Sequence, residues 1–478
     1  MKSCCVRASE ERAKKSKIRV VLFNLISILL VFVAIEASEG SNGNENHTFT
    51  TVSLACNNTR YPKRCVSSMA SYQTANLHDL TNAALQVSLR RARKAHNFTR
   101  SLQTSLMNER ERVALKDCLE LMRDTIYHLR ICSSNGSLSR DCPIWLSAAL
   151  TNQQTCLNGF RDLNLSATNP IRALMSSRAA NLSELVSNSL SMYKFFNSPA
   201  KSRNNRRLLS GDANEDGDFS LQYARVSEDG FPEWLSVGER KLLQVSSPAS
   251  QANAVVAQDG SGHYRKIAQA IKDAPRKSRK RYIIYIKAGT YKENIEISKK
   301  IWNLMLVGDG KHRTVVTGGK SVQDGLTTFR TATVAVSGNG FMARDMTFEN
   351  TAGPEKYQAV ALRVGSDQSA IYRCGIKGYQ DTLYVYSLRQ FYREVDIYGT
   401  VDFIFGNAAV VIQNSNIIAR RPMRGQENTI TAQGRTDPNE NTGISIHNCN
   451  VLASSALERV KGSVKTYLGR PWKEYSRT

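Results

Sequence analysis

An interval constrains this chain more than any single residue does. Cys374, Val395 and Ser415 hold matching places in three successive units, 21 and then 20 residues apart. The unit Tyr372-Arg373-Cys374-Gly375-Ile376 returns as Tyr392-Arg393-Glu394-Val395-Asp396-Ile397. It returns again, more loosely, as Ile412-Gln413-Asn414-Ser415-Asn416-Ile417. A period near 20 residues, carried on short apolar runs split by Gly and Asn, predicts a parallel β-helix and not a sandwich. The predicted strands include 282–286, 304–307, 333–336, 410–412 and 444–446. The polar stretch 420–441 interrupts the period and is expected to be a loop inserted on one face.

Two aspartates share the phase of the repeat. Asp381 follows Cys374 by seven residues, and Asp402 follows Val395 by seven. On adjacent coils, about 4.8 Å apart, they would project from the same face. Carboxylates that close cannot both ionise freely, so one should hold its proton more tightly. A nucleophile beside a proton donor predicts a hydrolase. Gln358 and Gln380 are 22 residues apart, again one coil, and would stack beside the aspartates. Their amide N–H groups suit a developing oxyanion. Arg470 offers a guanidinium that would keep one carboxylate ionised, and Trp472 offers a flat apolar face for a sugar. Ladders of Asp and Gln can also be purely structural, but two of each in one phase favour a site. Histidine-based triads are disfavoured, because no Gly-x-Ser-x-Gly elbow occurs.

The first half of the chain has a different period. Leu77, Leu80, Ala84 and Val87 follow helical spacing, as do Leu115, Leu119, Met122, Ile126 and Leu129. Residues 50–200 are expected to form an all-α four-helix bundle. Residues 1–40 hold a basic cluster and the apolar run 20–35, which predict a signal peptide or a signal anchor. Sequons begin at Asn46, Asn57, Asn97, Asn135, Asn164 and Asn181, all in this half. They fit a secreted glycoprotein. Cys56, Cys65, Cys118, Cys132, Cys142 and Cys156 are a candidate disulfide set. No CxxC pair supports zinc, so no metal is expected. Residues 201–245 read as an exposed linker, with basic pairs at Arg206-Arg207 and Arg240-Lys241 that a processing protease could cut. Residues 246–478 are the β-helix.

The formal charge is +24, and residues 251–478 alone carry +14. A basic secreted domain suits an anionic polymer. Nucleic acid is disfavoured, since no helix-turn-helix, zinc-finger or aromatic RNA-reading motif occurs. The basic run from Lys272 to Arg281 is open to two readings, contact with a polyanion or a solvated face.

Five segments in order resemble the motif set of plant pectin methylesterases: Gly289-Thr290-Tyr291-Lys292-Glu293, Gln358-Ala359-Val360-Ala361-Leu362, Gln380-Asp381-Thr382-Leu383, Asp402-Phe403-Ile404-Phe405-Gly406 and Leu468-Gly469-Arg470-Pro471-Trp472. Residues 50–200 resemble the inhibitor domain that many of these enzymes carry as a pro-region. The resemblance implies bridges Cys56–Cys65 and Cys118–Cys156, and leaves Cys132 and Cys142 as candidates to pair with each other. It implies a substrate, methyl-esterified pectin, whose galacturonate C6 esters are hydrolysed to carboxylates and methanol. Asp402 would be the nucleophile, Asp381 the proton donor and then acceptor, and Gln380 with Gln358 the oxyanion stabilisers. Arg470 would hold Asp402; Thr328, Gln358, Arg470 and Trp472 would meet substrate. No cofactor is implied. The pro-region implies intramolecular inhibition, the paired basic sites resemble the family's processing sites, and the location implied is the cell wall.

Two departures from the family stand out. Val395 and Ser415 replace a cysteine pair that plant members often carry, which predicts no bridge and no odd thiol there. The family continues for several dozen residues past its Leu-Gly-Arg-Pro-Trp motif, so the last coil here is expected to lie open at its edge. A rival reading follows, a catalytically inactive chain acting as an inhibitor or binding module through its bundle. A polysaccharide lyase of the same fold is a third; the Asp-Asp-Gln-Gln set argues against it.

Overall fold

Four helices form the N-terminal bundle: α1 (Leu77–Ser101), α2 (Glu109–Cys132), α3 (Cys142–Asp162) and α4 (Pro170–Asn197). The computed structural model describes residues 52–72, 76–102, 107–134, 137–197, 227–245, 248–460 and 462–477. The apolar run 20–35 and the basic pair Arg206-Arg207 lie outside the described residues. Each helix start is read from its sequence. Asn108 and Glu111 form a capping box on α2, and Asn76 accepts from the His78 N–H at the start of α1. Leu85, Leu89, Leu129, Leu146, Leu150, Leu182, Val186 and Leu190 fill the bundle core.

Three disulfides staple it: Cys56–Cys65, Cys118–Cys156 and Cys132–Cys142. Cys118–Cys156 ties α2 to α3 across 38 residues. Closing a loop of that length removes roughly 4 kcal/mol of denatured-state entropy. The variant Cys118→Ala/Cys156→Ala is therefore expected to lose roughly that stability in bundle unfolding followed by circular dichroism; an unchanged melt would refute the assignment.

The C-terminal half is a right-handed parallel β-helix. Its strands stack into three parallel sheets of eight, seven and seven. The expected strands appear as Tyr282–Ile286, Leu304–Gly308, Val334–Val336, Ala409–Gln413 and Gly443–His447. The phase also holds, since Gly375 pairs with Asp396 and Asp396 with Asn416, which sets Cys374, Val395 and Ser415 in one ladder. Inward aliphatic rungs hold the coils together. Val334, Leu362, Leu383 and Ile404 stack in register and are all fully buried. Each such side chain contributes on the order of 1.5–3 kcal/mol. The corner before the second sheet takes left-handed backbone once per coil, at Asp345, Arg373, Glu394, Asn414 and Asn448.

Two expectations need correction. The stretch 420–441 is not only a loop, because Asn428–Gln433 within it is a fully buried strand of the third sheet. Its Thr431 and Gln433 are polar, but both are satisfied: Thr431 donates to the Leu468 carbonyl and Gln433 to Asn407. Thiols also remain near the lost cysteine pair. Cys374 is buried and free at one end of that ladder, and Cys449, beside Ser415, is free at the other.

The third sheet positions the site. Its strands are β1 (Ile295–Ile297), β2 (Val334–Val336), β3 (Leu362–Val364), β4 (Leu383–Val385), β5 (Ile404–Gly406), β6 (Asn428–Gln433) and β7 (Thr466–Pro471). β7 pairs with β6 and is last in the sheet order among the described residues, with Leu468 73% exposed. α2 and α3 lie across the outer face of this sheet. Leu115, Leu121, Met122 and Phe160 of the bundle pack with Phe329, Tyr384, Tyr386 and Phe405 in one apolar cluster.

Candidate active site

The outer row of the third sheet reads Ala335, Arg363, Tyr384, Phe405, Ala432 and Arg470, one residue per coil. Asp381 and Asp402 each lie two residues before the first residue of β4 and β5, and those first residues, Leu383 and Ile404, are paired. The two carboxylates therefore stand side by side on adjacent coils. Both residues adopt left-handed backbone, with φ of 60° and 51°. That costs roughly 1–2 kcal/mol each and marks strain of the kind found where function demands it.

Asp402 is held by Arg470. Nε of the guanidinium donates to Oδ1 at 2.7 Å and Nη2 donates to Oδ2. This two-pronged pair fixes the orientation of the Asp402 carboxylate. Asp381 faces the opposite environment. Burial first, then the neighbouring Asp402 and then Asp162, push its carboxyl well above the usual carboxylate range. A carboxylate gripped by a guanidinium and a carboxyl pushed up by burial thus sit together. Gln380, Gln358, Thr328 and Trp472 complete the lining of the same cavity, whose volume is about 520 Å³. Gln358 is one residue out of the ladder, since the Ala359 N–H donates to the Gln380 carbonyl. The Gln380 Oε1 is buried without a hydrogen-bond partner among the described residues. Cys56, Cys65, Cys118 and Cys156 all lie in the bundle, away from this lining.

Aromatic residues that sequence reasoning missed form the floor. Tyr384 and Phe405 stack at 4.1 Å, and Trp472 meets Phe405 edge-on at 6.0 Å. A signal for them was present: each lies three residues after one of the paired aspartates. Gly434 makes room for the indole, because a Cβ there would lie 3.0 Å from it.

The roof belongs to the bundle. Thr155, Gly159, Asp162 and Leu163 line the cavity. The Asp162 carboxylate accepts from the Thr328 N–H at 2.9 Å. Asp117 is buried and accepts from the Thr327 hydroxyl and from Arg330 Nε, at 2.5 and 2.6 Å. Tyr386 donates to Asn152 at 2.6 Å, and Arg389 donates to Asp141 at 2.8 Å. With these residues in place, Asp381 and Asp402 are 7% and 6% exposed.

Glu440 sits at the rim of this contact. Asn407 donates both to Glu440 and to Thr151 of the bundle. Burial pushes the Glu440 carboxyl up to about 7. A raised folded-state value gives stability that is complete below the unfolded pKa and lost as pH rises through the folded one. The parent chain should lose on the order of 2–3 kcal/mol between pH 4.5 and 7 through this group. Glu440→Gln should flatten that part of the melting-temperature profile; an unaltered slope would refute it.

Fold and cleft together define a capped β-helical hydrolase. The chain belongs to the pectinesterase family. Residues 253–478 match the Pectinesterase family and residues 50–192 match the Plant invertase/pectin methylesterase inhibitor family. Pectinesterase/pectinesterase inhibitor 3 of Arabidopsis thaliana is 43% identical over 98% of this chain and 84% of its own length. Pectinesterase 2 of Citrus sinensis is 51% identical over 84% of this chain and 72% of its own. Among solved structures, the pectin methylesterase from carrot is 60% identical over 47% of this chain and 70% of its own, with a TM-score of 0.47.

Proposed function

We propose that the chain hydrolyses the C6 methyl esters of galacturonate in pectin, giving free carboxylates and methanol. The observation that carries this reading is the pairing of an arginine-held Asp402 with an Asp381 whose carboxyl is pushed up. Asp402 attacks the ester carbonyl. The amides of Gln380 and Gln358 stabilise the oxyanion, and Asp381 protonates the departing methanol. Asp381 then takes a proton from the water that cleaves the acyl-enzyme, restoring both carboxyls. Thr328, Gln358, Arg470 and Trp472 bind the sugar chain over the aromatic floor. The test is one methanol and one titratable acid per ester lost from highly methylated pectin, with no ultraviolet-absorbing unsaturated ends. Such ends without methanol would favour the lyase.

The bundle acts as an intramolecular inhibitor in this proposal, supported by its residues in the cleft roof. Residues 1–40 direct secretion to the cell wall, and residues 201–245 carry the processing sites. The second basic pair, Arg240-Lys241, lies in the helix Val237–Gln244, whose Leu243 is fully buried. Arg344 donates to the carbonyls of Leu242 and Val245. A protease needs extended backbone, so cutting there requires this helix to open first. The rival, an inactive inhibitor module, has less support: the cleft-facing side of the bundle is already spent on its own β-helix.

A further inference from the structure

A second cavity, about 1040 Å³, lies at the seam between the bundle and the β-helix and shares none of the residues that line the active-site cleft. It exceeds the about 300–1,000 Å³ typical of small-molecule sites. Arg100, Lys116 and Arg123 form its bundle wall, and Lys272, Arg276 and Lys300 form its β-helix wall. These six are exposed and make no ion pair among the described residues. The carboxylates nearby are spent. Glu120 pairs with Arg330, Asp124 with Lys299 at 2.8 Å, and Glu296 with Arg330 at 4.0 Å. The groove also buries the His96 Nε2, which has no hydrogen-bond partner among the described residues.

We propose that this groove binds a run of de-esterified galacturonan, the polyanionic product of the reaction proposed above, on which this assignment rests. Docking the bundle sets three cations on each wall of one cavity, and none of the six is ion-paired among the described residues. That arrangement is unfavourable until an anion enters it. A repeating uronate fits because one chain carries several carboxylates, enough to meet cations on both walls. Because both domains supply the walls, occupancy also stabilises the capped form by mass action. The precursor would thus be retained, still closed, on stretches of pectin that have already lost their esters. The basic run from Lys272 to Arg281 gains a role in this way, through Lys272 and Arg276.

The test uses the full chain and a short labelled oligogalacturonate at physiological salt. Binding is expected to weaken by at least about tenfold in Lys116→Glu/Arg276→Glu and to persist in Trp472→Ala, which alters only the cleft. If the charge-reversed pair does not fold, Arg123→Gln/Lys300→Gln gives the same test with milder changes. The oligomer should also raise the melting temperature of the parent chain and not of the groove variants. Equal binding by parent and groove variants, equal binding of the fully methylated oligomer, or tighter binding of a length-matched RNA would each overturn the proposal. Methanol release, assayed separately, keeps the two readings apart. Oligogalacturonate binding without any esterase activity would leave the groove standing and remove the esterase, whereas esterase activity without binding would do the reverse.

Discussion

Replacing Asp402 with Asn should lower methanol release by about 10⁴-fold or more while leaving the β-helix folded. The change preserves shape and removes the nucleophilic oxygen along with the charge that Arg470 holds at 2.7 Å. Asp402 is 6% exposed and lies outside the aliphatic stack, so the core should not notice. The comparison is made with the parent in the same bundle-released form, with far-ultraviolet circular dichroism on both samples. Turnover within tenfold of the parent would remove Asp402 from the chemistry. Asp381→Asn is expected to behave differently. It takes away the group whose carboxyl is pushed up by burial and by Asp402, so the pH dependence set by that group should vanish along with most of the rate.

The β-helix was legible because its inward positions are aliphatic and its period is nearly constant. Cys374, Val395 and Ser415 alone give the coil length, and the phase of Asp381 and Asp402 follows from it. Asn428–Gln433 escaped because its polar residues are satisfied by hydrogen bonds that no local pattern reveals, such as Gln433 to Asn407 across 26 residues. Tyr384 and Phe405 were within reach, being spaced like the aspartates before them. The roof of the site was not. Asp117 and Asp162 look in sequence like ordinary helix-surface acids, and their partners Thr327, Arg330 and Thr328 lie 166 to 213 residues away. Hydrophobic periodicity reports which face of a helix is buried; it carries no information on which distant surface buries the polar face.

Those two acids also set the second large effect. Asp117→Ala/Asp162→Ala should raise methanol release by the intact chain by at least about tenfold. Each acid belongs wholly to the bundle and accepts from a β-helix donor, Asp117 buried and Asp162 half-buried. Truncating one side of such a charged contact costs about 2–5 kcal/mol of docking, enough to open a cap that is held only by its interface. Gly159→Leu should act in the same direction by a different route. A Cβ at Gly159 already comes within 3.2 Å of Thr327 Cγ2, so a larger side chain must push α3 off the cleft. Agreement between a charge deletion and a steric wedge would show that opening, not some new contact, releases activity. Rising pH should narrow the gap between variant and parent. Burial pushes the Asp117 and Asp162 carboxyls up in the docked form. Their contribution to docking is therefore complete below their free pKa values and fades as pH rises through the docked ones. Glu120, which Arg330 holds below its ordinary value, pulls the other way, but it is a single group against two. Steady methanol release by parent and variants across the acid-to-neutral range reads this out; equal activity at every pH would mean that the bundle does not close the cleft in solution.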